Sequence, residues 1–250
     1  NSLKKSEFIT SYLELAAMRE TALSLKSDNL GQQLSFPVND YMGQEVVFQL
    51  AGENGYEAIE LYKQAFETNN IFVRRAIASS MDEIPQELKT SYETLLGDES
   101  WLTREAALLN LWLQFPEDRA KYLQETRGLS GFYNKNIEML WLTLNLVTPE
   151  FEPENKQEVY NRLSGYTAAH WPFEIRENAF GYLYQINSFT SNNLKDLLQG
   201  ATHHNYRFRD FCRKLLDTLL KEEEYRQRFF QLEEEVSGKQ KEILDKKLGE

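Results

Sequence analysis

Apolar residues recur along most of the chain at intervals of three and four positions, with polar residues between them. This spacing predicts amphipathic α-helices. No convincing run alternates polar and apolar residues with enrichment in β-branched types. Four prolines are each followed closely by acidic residues, a combination typical of the first turn of a helix. They are Pro85, Pro116, Pro153 and Pro172. The pattern therefore predicts an all-α chain.

The predicted helices cover most of the 250 residues. They lie near 5–26, 41–51, 56–68, 71–83, 86–96, 101–114, 117–126, 132–147, 154–164, 173–187, 192–199, 205–220, 221–236 and 239–248. No linker rich in Gly, Ser or Pro divides them, so we expect a single domain over 1–250. Within it we expect an N-terminal helix and connecting loop at 1–40, helix-pair repeats at 41–220 and a charged C-terminal cap at 221–250. Tyr225, Phe229, Phe230 and Leu232 would form the buried stripe of that cap.

A basic residue recurs near the start of a helix in five segments, about 30 to 40 residues apart. The five are Arg74, Arg104, Lys135, Arg176 and Arg209. A helix pair with this period is the signature of an α-solenoid. We therefore expect a right-handed α-α superhelix of about six helix pairs. Val73-Arg74 and Ile175-Arg176 resemble the Val-Arg pair of HEAT repeats, and the basic residues are expected to pair with acids of neighbouring repeats.

Composition excludes several classes of function. The net charge of −11 disfavours nucleic-acid binding, which depends on neutralising phosphates. No apolar run is long enough for membrane insertion. The one cysteine, Cys212, excludes an internal disulfide and a cysteine-based zinc cluster, and we expect it to be a small core residue. None of the three histidines belongs to a zinc-protease motif, and we expect no cofactor or metal in this chain. The four tryptophans are expected in the core.

One segment departs from the acidic background. Residues 203–214 carry four basic side chains and two histidines. At the start of a helix, backbone N–H groups and an arginine would together suit a carboxylate. The other interpretation is a repeat with additional surface arginines.

The chain resembles the C-terminal helical, HEAT-like domain of aminopeptidase N-type zinc metallopeptidases, the gluzincins that include leukotriene-A hydrolases. The opening Ser6-Glu-Phe-Ile-Thr-Ser-Tyr-Leu-Glu-Leu-Ala-Ala is similar to the amphipathic helix that follows their catalytic domain. Asn205-Tyr-Arg-Phe-Arg209 is similar to an Asn-x-x-Arg-Val-Arg-like motif late in the domain. The resemblance implies substrate contact by Arg207, with Asn205 and Arg209 beside it. It also implies zinc in a catalytic domain that this chain does not contain.

Two functions are therefore expected. The first is a non-catalytic C-terminal domain that shapes and closes the peptide-binding cleft of an upstream catalytic domain. Its partners would be that domain and the peptide substrate. The second is a free-standing HEAT-like scaffold for protein–protein interaction. A chain that begins with Asn1 rather than Met favours the first. The compartment is left open between cytoplasmic and periplasmic or secreted.

Overall fold

The structure is a computed structural model that describes residues 22–27, 32–37, 56–67, 70–81, 83–152 and 155–249. Within these ranges lie twelve α-helices, so the predicted helical class is confirmed, and one two-stranded hairpin precedes the helices. The predicted helix at 41–51, and residues 5–21 of the predicted helix 5–26, lie outside the described residues. Residue contacts group the chain into two units, 1–126 and 127–250. The single solenoid domain stays a prediction.

The hairpin corrects the expected helix end at residue 26. Strand β1 (Ala22–Ser27) pairs antiparallel with β2 (Gln32–Pro37). The register sets Leu23 opposite Phe36 and Leu25 opposite Leu34, so the apolar–polar alternation of the two strands coincides. That alternation is present in the sequence on both sides of Asp28-Asn-Leu-Gly31, a segment of turn-forming residue types.

The described helices of the first unit are α1 (Tyr56–Glu67), α2 (Ile71–Ser80), α3 (Lys89–Glu93), α4 (Trp101–Gln114) and α5 (Arg119–Glu125). Short 3₁₀ turns precede or follow α3 and α5. The side chains of Asn70 and Ser100 cap α2 and α4 by accepting backbone N–H groups of the first turn. Tyr92 is fully buried, and its hydroxyl donates to Ala78 O at 2.9 Å, which ties α3 to α2.

The second unit contains the remaining seven helices. These are α6 (Asn136–Leu146), α7 (Lys156–Gly165), α8 (Phe173–Gln185), α9 (Ser191–Gly200), α10 (Tyr206–Leu219), α11 (Glu223–Leu232) and α12 (Gly238–Leu248). Helix α6 is buried on most of its circumference and contacts both α7 and α8. In α11, Tyr225, Phe229 and Leu232 are buried as predicted, but Phe230 is 49% exposed. Among the described residues, no helix is long and apolar enough to cross a membrane.

The tryptophans only partly follow the prediction of a core role. Trp141 is buried and meets Phe151 edge-to-face, with ring centroids 6.0 Å apart. Trp101, Trp112 and Trp171 are only partly buried. Cationic side chains lie over their rings, and the closest is Arg119, whose guanidinium carbon is 3.9 Å from the Trp112 centroid. These three rings therefore bridge the core and charged surface side chains.

Helix α9 packs tightly against side chains of α10 at Gly200. A Cβ atom added there would lie 2.5 Å from Cys212 Sγ and 3.2 Å from the Phe208 ring. Both of those side chains are fully buried, so neither can move away without disturbing the core. Glycine at position 200 is therefore required by packing.

We expect Gly200→Ala to lower the free energy of unfolding by about 1–3 kcal/mol, because it overpacks this contact. Gly181→Ala in α8 is the matched control, since nothing lies within 4 Å of its added Cβ. The control should raise stability by about 0.5–1 kcal/mol through helix propensity. Urea denaturation measures both. Equal effects for the two variants would contradict the close approach, and a Gly200→Ala/Cys212→Ala double variant should recover part of the loss.

Candidate functional site

The first two recurrent basic residues, Arg74 and Arg104, meet at one turn. Arg74 forms an ion pair with the buried carboxylate of Asp98. That this acid belongs to a neighbouring repeat stays a prediction. Arg104 instead donates to the backbone oxygens of Asp98 and Gly97. Asp98 Oδ1 also accepts the Ser100 N–H at 2.7 Å. This turn before α4 is thus held by two arginines that use different acceptors.

Lys135 forms an ion pair with an acidic residue of its own segment. Its ammonium group lies 3.0 Å from Glu138, one turn further along the chain. Arg162 and the Tyr166 hydroxyl also donate to the Glu138 carboxylate, at 2.9 and 2.7 Å. Burial raises the pKa of Glu138, but these donors outweigh it and the net pKa is lowered. Glu138 therefore remains charged and joins α6 to α7.

Arg176 is 1% exposed, the largest fully buried side chain among the described residues. Its Nε–H donates to Thr167 O at 2.7 Å, and a terminal nitrogen donates to Asp196 O at 3.0 Å. The guanidinium carbon lies 5.0 Å from the centroid of the Phe208 ring. Arg176 therefore ties α8 to the turn after α7, to α9 and to α10 through carbonyls and a ring.

The predicted substrate segment lies at the start of α10, directly after the turn that follows α9. Asn205 is the N-cap of α10, and its side-chain oxygen accepts the N–H groups of Arg207 and Phe208 at 3.0 and 3.2 Å. Arg209 donates to His203 O at 3.1 Å. Asn205 and Arg209 thus both have structural partners, and two backbone donors expected to face a carboxylate are already capped.

Arg207 is placed differently from its two neighbours. It is exposed, as is Tyr206 at 64%, and its Nε–H donates to the Tyr206 hydroxyl at 3.0 Å. In the described part of the chain, no carboxylate pairs with it. The rings of His203 and His204 lie at the same turn with centroids 4.1 Å apart. Tyr206 and Arg207, beside these two histidines, form the most open part of the predicted site, which we call the α10 entry.

His203 has a role that the sequence analysis did not predict. Its Nδ1 accepts the Asn205 N–H at 3.1 Å, so the neutral ring carries its proton on Nε2. Burial lowers the pKa of His203, and the charges of His204 and Arg176 lower it further. Histidine two residues before an N-cap asparagine was the available sequence signal, but only the fold reveals the acceptor geometry.

No three His, Cys, Asp or Glu side chains lie together as metal ligands within the ranges that the structure describes. Burial raises the pKa of the Cys212 thiol to about 12, so it is protonated at neutral pH. No family model, curated protein or solved structure matches the chain.

We expect the His203 ring to titrate at a lower pH in the folded protein than in the urea-unfolded chain, where its pKa is about 6.5. A lowered pKa in the folded state means that its contribution to stability is intact above pH 6.5. That contribution is lost as the pH falls through the folded value. NMR titration of the ring protons measures both states.

Between pH 7.5 and 5.5, the free energy of unfolding should fall less for His203→Gln than for the native chain, because the variant lacks the titrating ring. The same midpoint in folded and unfolded protein would contradict the lowered pKa of His203.

Proposed function

We propose that this chain is the non-catalytic C-terminal helical domain of a zinc-dependent aminopeptidase. In that role its helix pairs form a HEAT-like solenoid that shapes and closes the peptide cleft of an upstream catalytic domain. The α10 entry contacts the C-terminal side of the bound peptide. Zinc, the catalytic residues and the scissile bond belong to the upstream domain.

The observation that carries this proposal is the exposure of Arg207. Of the three residues in the Asn205-Tyr-Arg-Phe-Arg209 segment expected to contact substrate, Asn205 and Arg209 serve the turn itself. Arg207 is exposed and oriented by the Tyr206 hydroxyl. A guanidinium held in this way offers paired donors to a carboxylate, and a neighbouring aromatic ring suits a peptide side chain.

A different observation supports the second candidate, a free-standing protein-interaction scaffold. Helix α4 exposes three leucines spaced seven and four positions apart along one face, namely Leu102, Leu109 and Leu113. Their exposed fractions are 53%, 37% and 54%. An apolar stripe of this spacing is the surface that a partner helix would cover.

The two candidates differ in what precedes the chain. If it is an aminopeptidase domain, the natural reading frame upstream of Asn1 encodes a His-Glu-x-x-His segment. A frame that contains none would make the aminopeptidase assignment wrong and leave the scaffold.

The role of Arg207 is tested by peptide binding. We expect a fluorescent pentapeptide with a free C-terminal carboxylate to bind more tightly than its C-terminal amide. Arg207→Gln should abolish the difference by weakening the carboxylate form about tenfold, the equivalent of one charge-assisted hydrogen bond. Fluorescence anisotropy measures both affinities.

Lys221→Gln is the control, because it removes the same charge from an exposed residue just after α10. It should preserve the preference for the free carboxylate. Equal binding of the two peptides by the native chain would contradict the proposed contact.

A further inference from the structure

A groove of about 480 Å³ lies between α10 and α12, within the second unit. This volume falls in the range of small-molecule sites. Leu216, which is fully buried, closes the base of the groove, Ile243 supplies partly exposed apolar surface, and charged side chains from both helices line the rest. We call it the α10–α12 groove. It does not include the α10 entry, and its argument does not depend on the proposed function.

Two ion pairs account for half of the cations that line the groove. Lys214 lies 2.8 Å from Asp210 on the same helix, and both side chains are mostly exposed. Lys247 lies 2.9 Å from Asp217 and so joins α12 to α10. Each aspartate of the groove is therefore already matched with one lysine.

The other two cations, Arg213 and Lys246, line opposite helices. The Arg213 Nε–H donates to Ala201 O at 3.0 Å, which leaves its two terminal nitrogens available. Within the described residues, no carboxylate forms an ion pair with either cation. The groove therefore has a local charge of about +2 in a chain of net charge −11.

Helix stabilisation explains only part of this arrangement. Lys246 and Lys247 occupy the last turn of α12, where cations interact favourably with the helix dipole. Arg213 lies in the middle of α10, and its Nε–H stabilises the end of α9 through Ala201 O, but this contact uses neither of its terminal nitrogens. An anion bound between Arg213 and Lys246, over the apolar floor of the groove, would therefore neutralise these two unmatched cations.

We propose that the α10–α12 groove binds a phosphate monoester carried on a small apolar body. A phosphate monoester has a charge of about −1.5 to −2 at pH 7, which matches the two unmatched cations, whereas a carboxylate matches only one. The terminal nitrogens of Arg213 present a fork of donors to two phosphate oxygens. Lys246 supplies a point charge from the other wall. Ile243 contacts the apolar body.

Titration calorimetry with phenyl phosphate tests the site on the full chain. We expect saturable one-site binding, and at least about fivefold weaker binding of both inorganic phosphate and benzoate, because each lacks one of the two features. Lys246→Gln and Arg213→Gln should each weaken phenyl phosphate about tenfold.

Lys241→Gln is the matched control, since it removes the same charge from an exposed position of α12 that does not line the groove. It should leave the affinity unchanged. Thermal melts check that each variant is folded. Because Lys246 has no structural partner in the described residues, its variant remains informative even if Arg213→Gln disturbs the Ala201 contact.

Absence of saturable binding would overturn the proposal, as would equal losses from Lys241→Gln and Lys246→Gln, which would indicate diffuse charge only. The source of the phosphate is tested with a short phosphotyrosine peptide. Binding at least about tenfold tighter than that of phenyl phosphate assigns the phosphate to a protein side chain. Equal affinity assigns it to a free small molecule.

Discussion

The buried ends of the helices impose the constraint on which this structure depends. The last carbonyl groups of a helix have no partner within the helix, and burying them unpaired would cost free energy. The chain satisfies some of them, and several carbonyls of the turns between helices, with cationic side chains from elsewhere in the same unit. Lys156 is the clearest case, because its ammonium group contacts Asn145 O, Thr148 O and Phe151 O after α6. The others that donate to carbonyls at or near helix ends are Arg104, Arg119, Arg176, Arg209, Arg213, Arg226 and Arg228.

This use of cations gives several of the recurrent basic residues near helix starts a structural role. Three of the five, Arg104, Arg176 and Arg209, donate to carbonyls of the preceding turn, whereas Arg74 and Lys135 pair with carboxylates further along the chain. The structural role of most arginines also makes Arg207 distinctive, since in the described residues its guanidinium contacts only the hydroxyl and the ring of the neighbouring Tyr206.

The helices could be predicted closely because their apolar spacing is local. Predicted 101–114 coincides with α4, and predicted 205–220 differs from α10 by one residue at each end. The hairpin was missed because four apolar residues, Leu23, Leu25, Leu34 and Phe36, make too short an alternation to compete with a helical interpretation. The partners of Arg104 and Arg176 could not be predicted, because they are backbone carbonyls, which every residue has and which no residue type signals. Nor could the α10–α12 groove, whose walls are some 30 residues apart in the chain.

The tight contact at Gly200 makes the single cysteine, Cys212, a probe of local unfolding. Cys212 Sγ lies against α9, is fully buried, and is protonated in the folded state. A thiol reagent can reach it only when α9 and α10 separate. The rate of modification therefore counts opening events of this helix pair. The modification rate of Cys212 in the native chain thus measures local unfolding beside the α10 entry, without an added label or mutation.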